Sequence, residues 1–202
     1  MTILPWLAAI LLWVAALAFF RSGRIWLPYY LTGSVGFAVG LVLLGQGPLG
    51  LERALEWATA RGASHGAAAL GIPTHVLPGA TDATLVMVLH QPIGWTVLPV
   101  GVETSGLLEV ATIAGLTLFY PLGGAARRAV LVAVGLAATA AANVVRVVVI
   151  LAMLHLGGKE TLFLAHNVVG RGIFFALVVG IYWLALTVPT VQHLREKSLE
   201  AR

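Results

Sequence analysis

Five long runs of apolar residues most strongly constrain what this chain can fold into. They cover about residues 3–20, 26–45, 104–120, 129–154 and 162–188. A helix needs about 20 mainly apolar residues to cross the hydrocarbon core of a bilayer, and each run reaches or approaches that length. The runs therefore predict an all-α integral membrane protein of about five transmembrane helices, with residues 1–202 forming a single multi-pass domain.

Composition supports the membrane prediction and excludes two other classes of protein. Hydrophobic residues make up 59% of the chain and charged residues 10%, whereas a soluble domain carries about 25% charged residues. The formal net charge is +4, but the basic residues lie in short loops, where they orient helices. The expected partner is therefore the lipid membrane, and neither a soluble domain nor a nucleic-acid-binding protein is expected.

The residue inventory also restricts the chemistry. The chain has no cysteine, which excludes disulfides, a thiolate nucleophile and cysteine-ligated metals. Its six histidines include no HExxH motif and no close pair on one predicted helix, so no metal site is expected. No sequence pattern indicates a cofactor.

Loop charges predict the orientation. With five spans, one side holds seven of the twelve basic residues and two acidic residues, and the other holds three basic and five acidic residues. Cytoplasmic loops collect Lys and Arg, so the first side is predicted to be cytoplasmic. The basic residues on that side are Arg21, Arg24, Arg127, Arg128, Arg195, Lys197 and Arg202. The prediction is a plasma-membrane protein with its N-terminus outside and its C-terminus in the cytoplasm, whose first run is an uncleaved anchor.

Residues 46–103 form the one sizeable extracytoplasmic segment of this prediction. The apolar residues Leu51, Leu55 and Ala58 recur at helical spacing beside the charged residues Glu52, Arg53, Glu56 and Arg61. This pattern predicts an amphipathic helix lying in the membrane interface. The β-prone runs Ala83–Leu89 and Gly94–Val100 predict a small β-hairpin or extended lid over the outer face, with a mere connector as the alternative.

An arginine inside the fourth run is the strongest functional signal, because each buried charge costs about 2.5–3.5 kcal/mol at a helix centre. Arg146 and Asn143 are three residues apart and share a helix face. Arg146 can snorkel outward or present its donors to a carbonyl, carboxylate or oxyanion. The structural alternative is a pair with Glu109 that holds two helices together.

Polar residues also begin the third and fifth runs. Thr104 and Ser105 are either helix caps or a hydroxyl nucleophile, which needs an adjacent base; Glu109 lies one turn past Ser105. His166 is either that base or an interfacial anchor of the fifth helix. Gly170, one turn further, would let a neighbouring helix or substrate approach closely. Together with Arg146, these groups suit acyl transfer on a membrane-inserted substrate.

The order of these motifs resembles the exosortase/archaeosortase family of membrane transpeptidases. Members carry Cys-Ser-Gly at the start of one transmembrane helix, Asn-x-x-Arg on the next, and a His at the start of a later one. The matching stretches are Thr104-Ser105-Gly106, Asn143-Val-Val-Arg146 and His166-Asn-Val-Val-Gly170. The resemblance covers about residues 104–188, and it departs from the family where Thr104 replaces the nucleophilic cysteine.

The resemblance implies a protease or transpeptidase (a hydrolase of protein sorting) in the cell membrane. Its partners would be exported proteins that end in a short motif, a transmembrane helix and a basic tail. Thr104 or Ser105 would attack at the outer membrane face, His166 would act as base and then acid, and Arg146 would stabilise the oxyanion. Two alternatives stay open: a catalytically inactive relative that binds such tails, or a small transporter or channel subunit.

Overall fold

The computed structural model describes residues 4–47, 49–78, 85–91, 94–120, 124–188 and 190–191. Some positions used in the charge and hairpin predictions lie outside these ranges: Asp82, Ala83, Arg195, Lys197 and Arg202. The side chain of Glu103 likewise falls outside the described part.

The fold is mainly helical, with one small sheet. Its α-helices are α1 (Leu4–Ser22), α2 (Trp26–Gln46), α3 (Leu51–Ala69), α4 (Val102–Ser105), α5 (Leu107–Leu118), α6 (Ala125–Gly157) and α7 (Arg171–Tyr182). A short 3₁₀ turn covers Lys159–Thr161, and π-helical segments cover Leu164–Gly170 and Trp183–Thr187, before and after α7.

Among the described residues, four helical segments are long and apolar enough to cross a membrane. They are Pro5–Ser22, Trp26–Gln46, Ala125–Gly157 and Leu164–Ala185. They agree with four of the five runs and indicate a membrane-embedded protein. The longest, α6, has 33 residues and is about 50 Å long at 1.5 Å per residue, so it exceeds the roughly 30 Å hydrocarbon core.

The third predicted span is not one continuous helix. Run 104–120 is divided at Gly106, between the four-residue α4 and the 12-residue α5. Gly106 has φ of +79°, a left-handed conformation that ends α4 and re-aims the chain into α5. At about 18 Å, α5 is short for a membrane span. The sequence prediction missed the break, because Thr104 and Ser105 just before Gly106 are equally compatible with the start of one continuous helix.

Helix α3 exists as predicted, but its buried face is different. The prediction placed Leu51, Leu55 and Ala58 on the apolar face and Glu56 on the polar face. In the structure Ala58 is exposed and Glu56 is fully buried. The buried face is Glu56, Thr59, Ala60, Ala63 and Ala67. Small residues let α3 lie close to α6, and that packing outweighs the simple charge pattern.

The segment between α3 and α4 forms three strands, β1 (Thr74–Pro78), β2 (Leu85–Gln91) and β3 (Gly94–Val100). The order is β1-β2-β3 and both pairs are antiparallel, with Thr74 opposite Leu89 and Leu85 opposite Val100. Strands β2 and β3 correspond to the two β-prone runs, and β1 was not predicted.

One apolar core joins α3 and the sheet to α6. It contains Ala60, Ala63, Ala67, Ile72, Leu98, Val100, Val147, Ile150, Leu151, Leu154 and Ala165. Gly62 and Gly66 of α3 lie against Val144 and Val148 of α6, so the two helices run in the same direction. Strand β3 therefore ends beside α6 and delivers Thr104, four residues later, to the middle of that helix.

Candidate functional site

Thr104 is buried, and its hydroxyl binds the backbone just before it. Its Oγ1 accepts a hydrogen bond from the Gly101 amide at 2.8 Å and lies 3.1 Å from the Gly101 carbonyl, to which it can donate. Only 2% of the residue is exposed. In this geometry the hydroxyl caps the backbone at the start of α4, as in the helix-cap alternative of the sequence analysis.

Ser105 also binds backbone, at the break between α4 and α5. Its Oγ accepts a hydrogen bond from the amide of Leu107 at 3.1 Å, which satisfies one of the free donors at the start of α5. A Cβ on Gly106 would lie 3.1 Å from Nδ2 of Asn143. Glycine is therefore needed here both for its positive φ and for this close approach.

Asn143 ties three elements together. Its Nδ2 donates to the Thr104 carbonyl at 2.7 Å and to Thr59 Oγ1 at 3.1 Å, while Thr59 Oγ1 lies 3.4 Å from the Ser105 carbonyl. Asn143 thus positions the Thr104–Ser105 turn against α6 and α3. Sequence analysis missed Thr59, because an uncharged threonine on a predicted interfacial helix carries no distinguishing pattern.

Arg146 lies one turn beyond Asn143 and is 3% exposed. Its guanidinium carbon sits 5.2 Å from the centroid of the Phe174 ring, a cation–π geometry. It lines a groove of about 450 Å³ between α5, α6 and α7. The groove residues are Leu108, Glu109, Arg146, Arg171, Phe174, Phe175 and Val178. The sequence analysis gave a pair between Glu109 and Arg146 as the structural alternative. Both residues line this groove.

Ser105 opens onto a different, smaller cavity of about 190 Å³ between α3, α5 and α6. Thr59 and Gly106 line it as well. The structure therefore distributes the predicted site over two cavities. Arg146 and Glu109 line the groove, and Ser105 lines the smaller cavity across α5. Asn143, held to the Thr104 backbone, connects the two.

His166 lies in the π-helical segment that precedes α7. Gly170 is buried against Ile150, and the ring of Phe174 lies against Arg146, so this stretch runs antiparallel to α6. His166, one turn before Gly170, is then beside the turn of α6 beyond Ile150. Its backbone is about three helical turns, roughly 16 Å, from the level of Asn143. Gly170 does allow the close helix approach that the sequence analysis expected of it.

No family model, curated protein or solved structure matches this chain.

Glu56 is a residue of the site region that sequence reasoning assigned to solvent. It is 0% exposed and lies one turn before Thr59, on the face of α3 that packs inside the protein. A fully buried carboxyl group is rare unless its charge is compensated. The sequence did not predict the burial of Glu56, because Glu52, Arg53 and Glu56 together resemble a solvent-exposed helix face.

The arrangement presents hydrogen-bond donors and a buried cation beside a groove with apolar and charged lining residues. That combination suits recognition of a carbonyl, carboxylate or oxyanion on a membrane-inserted chain. In the part of the chain that the structure describes, no group of three or more His, Asp or Glu residues is placed to hold a metal ion.

Proposed function

We propose that this chain is an exosortase-like membrane protein that binds the C-terminal transmembrane signal of exported proteins in the groove between α5 and α7. The bound signal would consist of a short motif, a transmembrane helix and a basic cytoplasmic tail. The observation that carries the proposal is Arg146, a buried cation at the wall of a groove of about 450 Å³ that also contains Glu109, Arg171 and four apolar residues.

The groove has the two properties that a transmembrane ligand requires. Leu108, Phe175 and Val178 give it apolar walls, which match a helix that would otherwise contact lipid. Arg146 supplies donors where the ligand backbone leaves its helix and exposes carbonyl groups. A polar group inside a membrane is costly unless a ligand or protein partner uses it, so Arg146 specifies where the ligand's polar end lies.

The proposed setting is the plasma membrane, with the N-terminus outside and the C-terminus in the cytoplasm. In this orientation α5 serves as a short third span, and α3 with the three-stranded sheet covers the outer face. The length of α6, 33 residues, allows one helix both to cross the bilayer and to support that outer layer.

Cleavage or transfer of the bound tail is a second candidate function. It is favoured by Thr104 and Ser105, whose hydroxyls are buried. Hydrogen bonds from Asn143 and Thr59 to the backbone carbonyls of these two residues hold the turn near the level of Arg146. The hydroxyl of Thr104 binds Gly101, and the backbone of His166 is about three helical turns away. Cleavage therefore requires that binding of the tail bring His166 toward Thr104; His166 is then the proposed base and Arg146 the proposed oxyanion donor.

Cysteine crosslinking tests the binding proposal cleanly, because the chain has no cysteine of its own. Val178→Cys places a thiol in the groove, whereas Val179→Cys places one on a neighbouring exposed surface. A co-expressed tail with a single cysteine in the outer half of its helix should form a disulfide with Val178→Cys and not with Val179→Cys. Equal crosslinking of both variants would contradict the groove assignment.

Arg146 supplies the second arm of that test. Arg146→Gln should weaken crosslinking through Val178→Cys at least several-fold while leaving the amount of inserted protein unchanged. Arg146→Lys should restore little, since an ammonium lacks the planar fork of donors. Loss of the inserted protein itself in Arg146→Gln would instead show that Arg146 holds the helices together.

A further inference from the structure

We propose that Glu56 is the counter-charge of Arg146 and a positioning residue that sets how strongly the groove prefers an anionic ligand group. The proposal rests on the proposed function, because it concerns the same groove. Among the described residues, Glu56 and Arg146 are the two charged side chains that are buried, at 0% and 3% exposure. They have opposite signs and are carried by α3 and α6, which pack directly against each other.

One hydrogen bond between α3 and α6 relates the positions of the two residues: Asn143 donates to Thr59 at 3.1 Å. Glu56 lies one turn before Thr59, and Arg146 lies one turn after Asn143. Since the two helices run in the same direction, Glu56 and Arg146 are about 9 Å apart along the helix axes. A single buried charge is costly to remove from water, and a nearby opposite charge offsets that cost. The polar layer formed by α3 and α6 can therefore hold an arginine within the membrane because it also holds a carboxylate.

This pairing has a consequence for ligand binding. The negative charge of Glu56 reduces the positive potential that Arg146 produces in the groove, so a bound anionic group competes with Glu56 for the same cation. Removing the Glu56 charge should strengthen binding of an anionic group by about tenfold. This figure takes the Glu56 carboxylate and the bound anion as about 10 Å apart, at an effective dielectric constant near 20. Binding of a neutral ligand should change little.

Two synthetic transmembrane peptides measure this preference. Both have about 20 Leu and Ala residues and differ at one position near the outer end, which is Glu in one and Gln in the other. Their dissociation constants are measured at pH 8 against the full-length protein in lipid nanodiscs. The wild type should prefer the Glu peptide, Arg146→Gln should lose the preference, and Glu56→Gln should increase it about tenfold. Glu56→Asp keeps the charge and should retain the wild-type ratio.

Glu52→Gln is the matched control, because Glu52 is one turn earlier on α3 and only half-buried; its ratio should equal that of the wild type. An unchanged ratio in Glu56→Gln, with the preference still lost in Arg146→Gln, would overturn the Glu56 assignment and leave the groove intact. If the wild type binds neither peptide, the tail-binding proposal fails instead.

A double-mutant cycle tests the pairing without any ligand. Thermal unfolding is compared for Glu56→Gln, Arg146→Gln and the double variant. The double variant should lose clearly less stability than the sum of the single variants, because it leaves no uncompensated buried charge. Strict additivity would refute the pairing whether or not the protein binds the peptides.

Discussion

At the scale of single residues, the hydroxyl at the start of α4 decides between catalysis and binding. The Thr104 side chain satisfies the amide of Gly101, which is a structural task that any serine or threonine can perform. The same hydroxyl occupies the place where the resembled family has a cysteine. A threonine hydroxyl is far less acidic than a thiol, so it needs stronger activation by a base.

A substitution series at Thr104 separates an active enzyme from an inactive relative. If Thr104 attacks the tail, Thr104→Ala should stop processing, Thr104→Ser should retain part of it, and Thr104→Cys should equal or exceed the wild type. If the protein is an inactive relative, neither the wild type nor Thr104→Ala should process the tail, and only Thr104→Cys should gain turnover. Processing is measured by gel shift of a co-expressed tail. If Thr104→Ala keeps full activity and Ser105→Ala has none, the nucleophile is Ser105 instead of Thr104.

The same position makes a stability prediction that is independent of chemistry. Thr104→Val should lower the free energy of unfolding by about 1 kcal/mol, since the Gly101 amide loses its side-chain partner. Thr104→Ser should cost clearly less, because the hydroxyl is retained. Chemical denaturation in detergent, read by tryptophan fluorescence, measures both, and equal losses would show that the hydroxyl makes no net contribution.

Gly106 is the residue on which the turn between α4 and α5 depends. Gly106→Ala should destabilise the protein by at least about 1–2 kcal/mol, because a side chain at φ of +79° is strained and its Cβ would crowd Asn143. Gly172→Ala is the control, as its Cβ would meet open space. Thermal unfolding of the two variants should differ clearly; similar midpoints would mean that the turn relaxes without cost.

At the scale of elements, α6 organises the protein. Its middle holds Asn143 and Arg146, and its C-terminal half carries α3, the sheet and the segment containing His166. The π-helical segment Leu164–Gly170 changes which side chains face α6. π-Helical turns occur frequently at functional sites, and this segment carries His166 and Gly170.

Close packing of α3 on α6 should be sensitive to side-chain size. Gly66→Leu should weaken it by about 1–3 kcal/mol, because a Cβ there would already lie 2.7 Å from Val148. Ala68→Leu, on the exposed side of the same helix, adds a larger side chain without crowding. Limited proteolysis of residues 47–73 should accelerate in Gly66→Leu only. Accelerated cleavage in both variants would indicate a general effect on α3 instead.

At the scale of the whole molecule, loop charge predicts the orientation. Reporter fusions placed after Arg128 and at the C-terminus should read cytoplasmic, and a fusion near Asp82 should read extracytoplasmic, because basic loops are retained in the cytoplasm. A cytoplasmic signal at Asp82 would reverse the orientation and move the groove's Arg146 to the inner leaflet.

The sequence by itself determined the membrane character, the positions of the four long helices, the presence of α3 and the β-prone runs. Each of these depends on local properties, namely the length of an apolar run, helical spacing and β propensity. Arg146 and Asn143 could be selected from sequence for a similar reason, since a charge inside an apolar run is costly wherever it lies.

Only the tertiary structure decided which side chains meet. The break at Gly106 depends on the approach of Asn143, 37 positions further along the chain, and the fully buried state of Glu56 depends on its neighbours across the α3–α6 contact. Thr59 belongs to the site because it is hydrogen-bonded to Ser105, 46 positions away in the sequence, and to Asn143, 84 positions away. Such contacts join segments that are distant in sequence, so no local pattern encodes them, and packing outweighed the charge pattern that placed Glu56 in solvent.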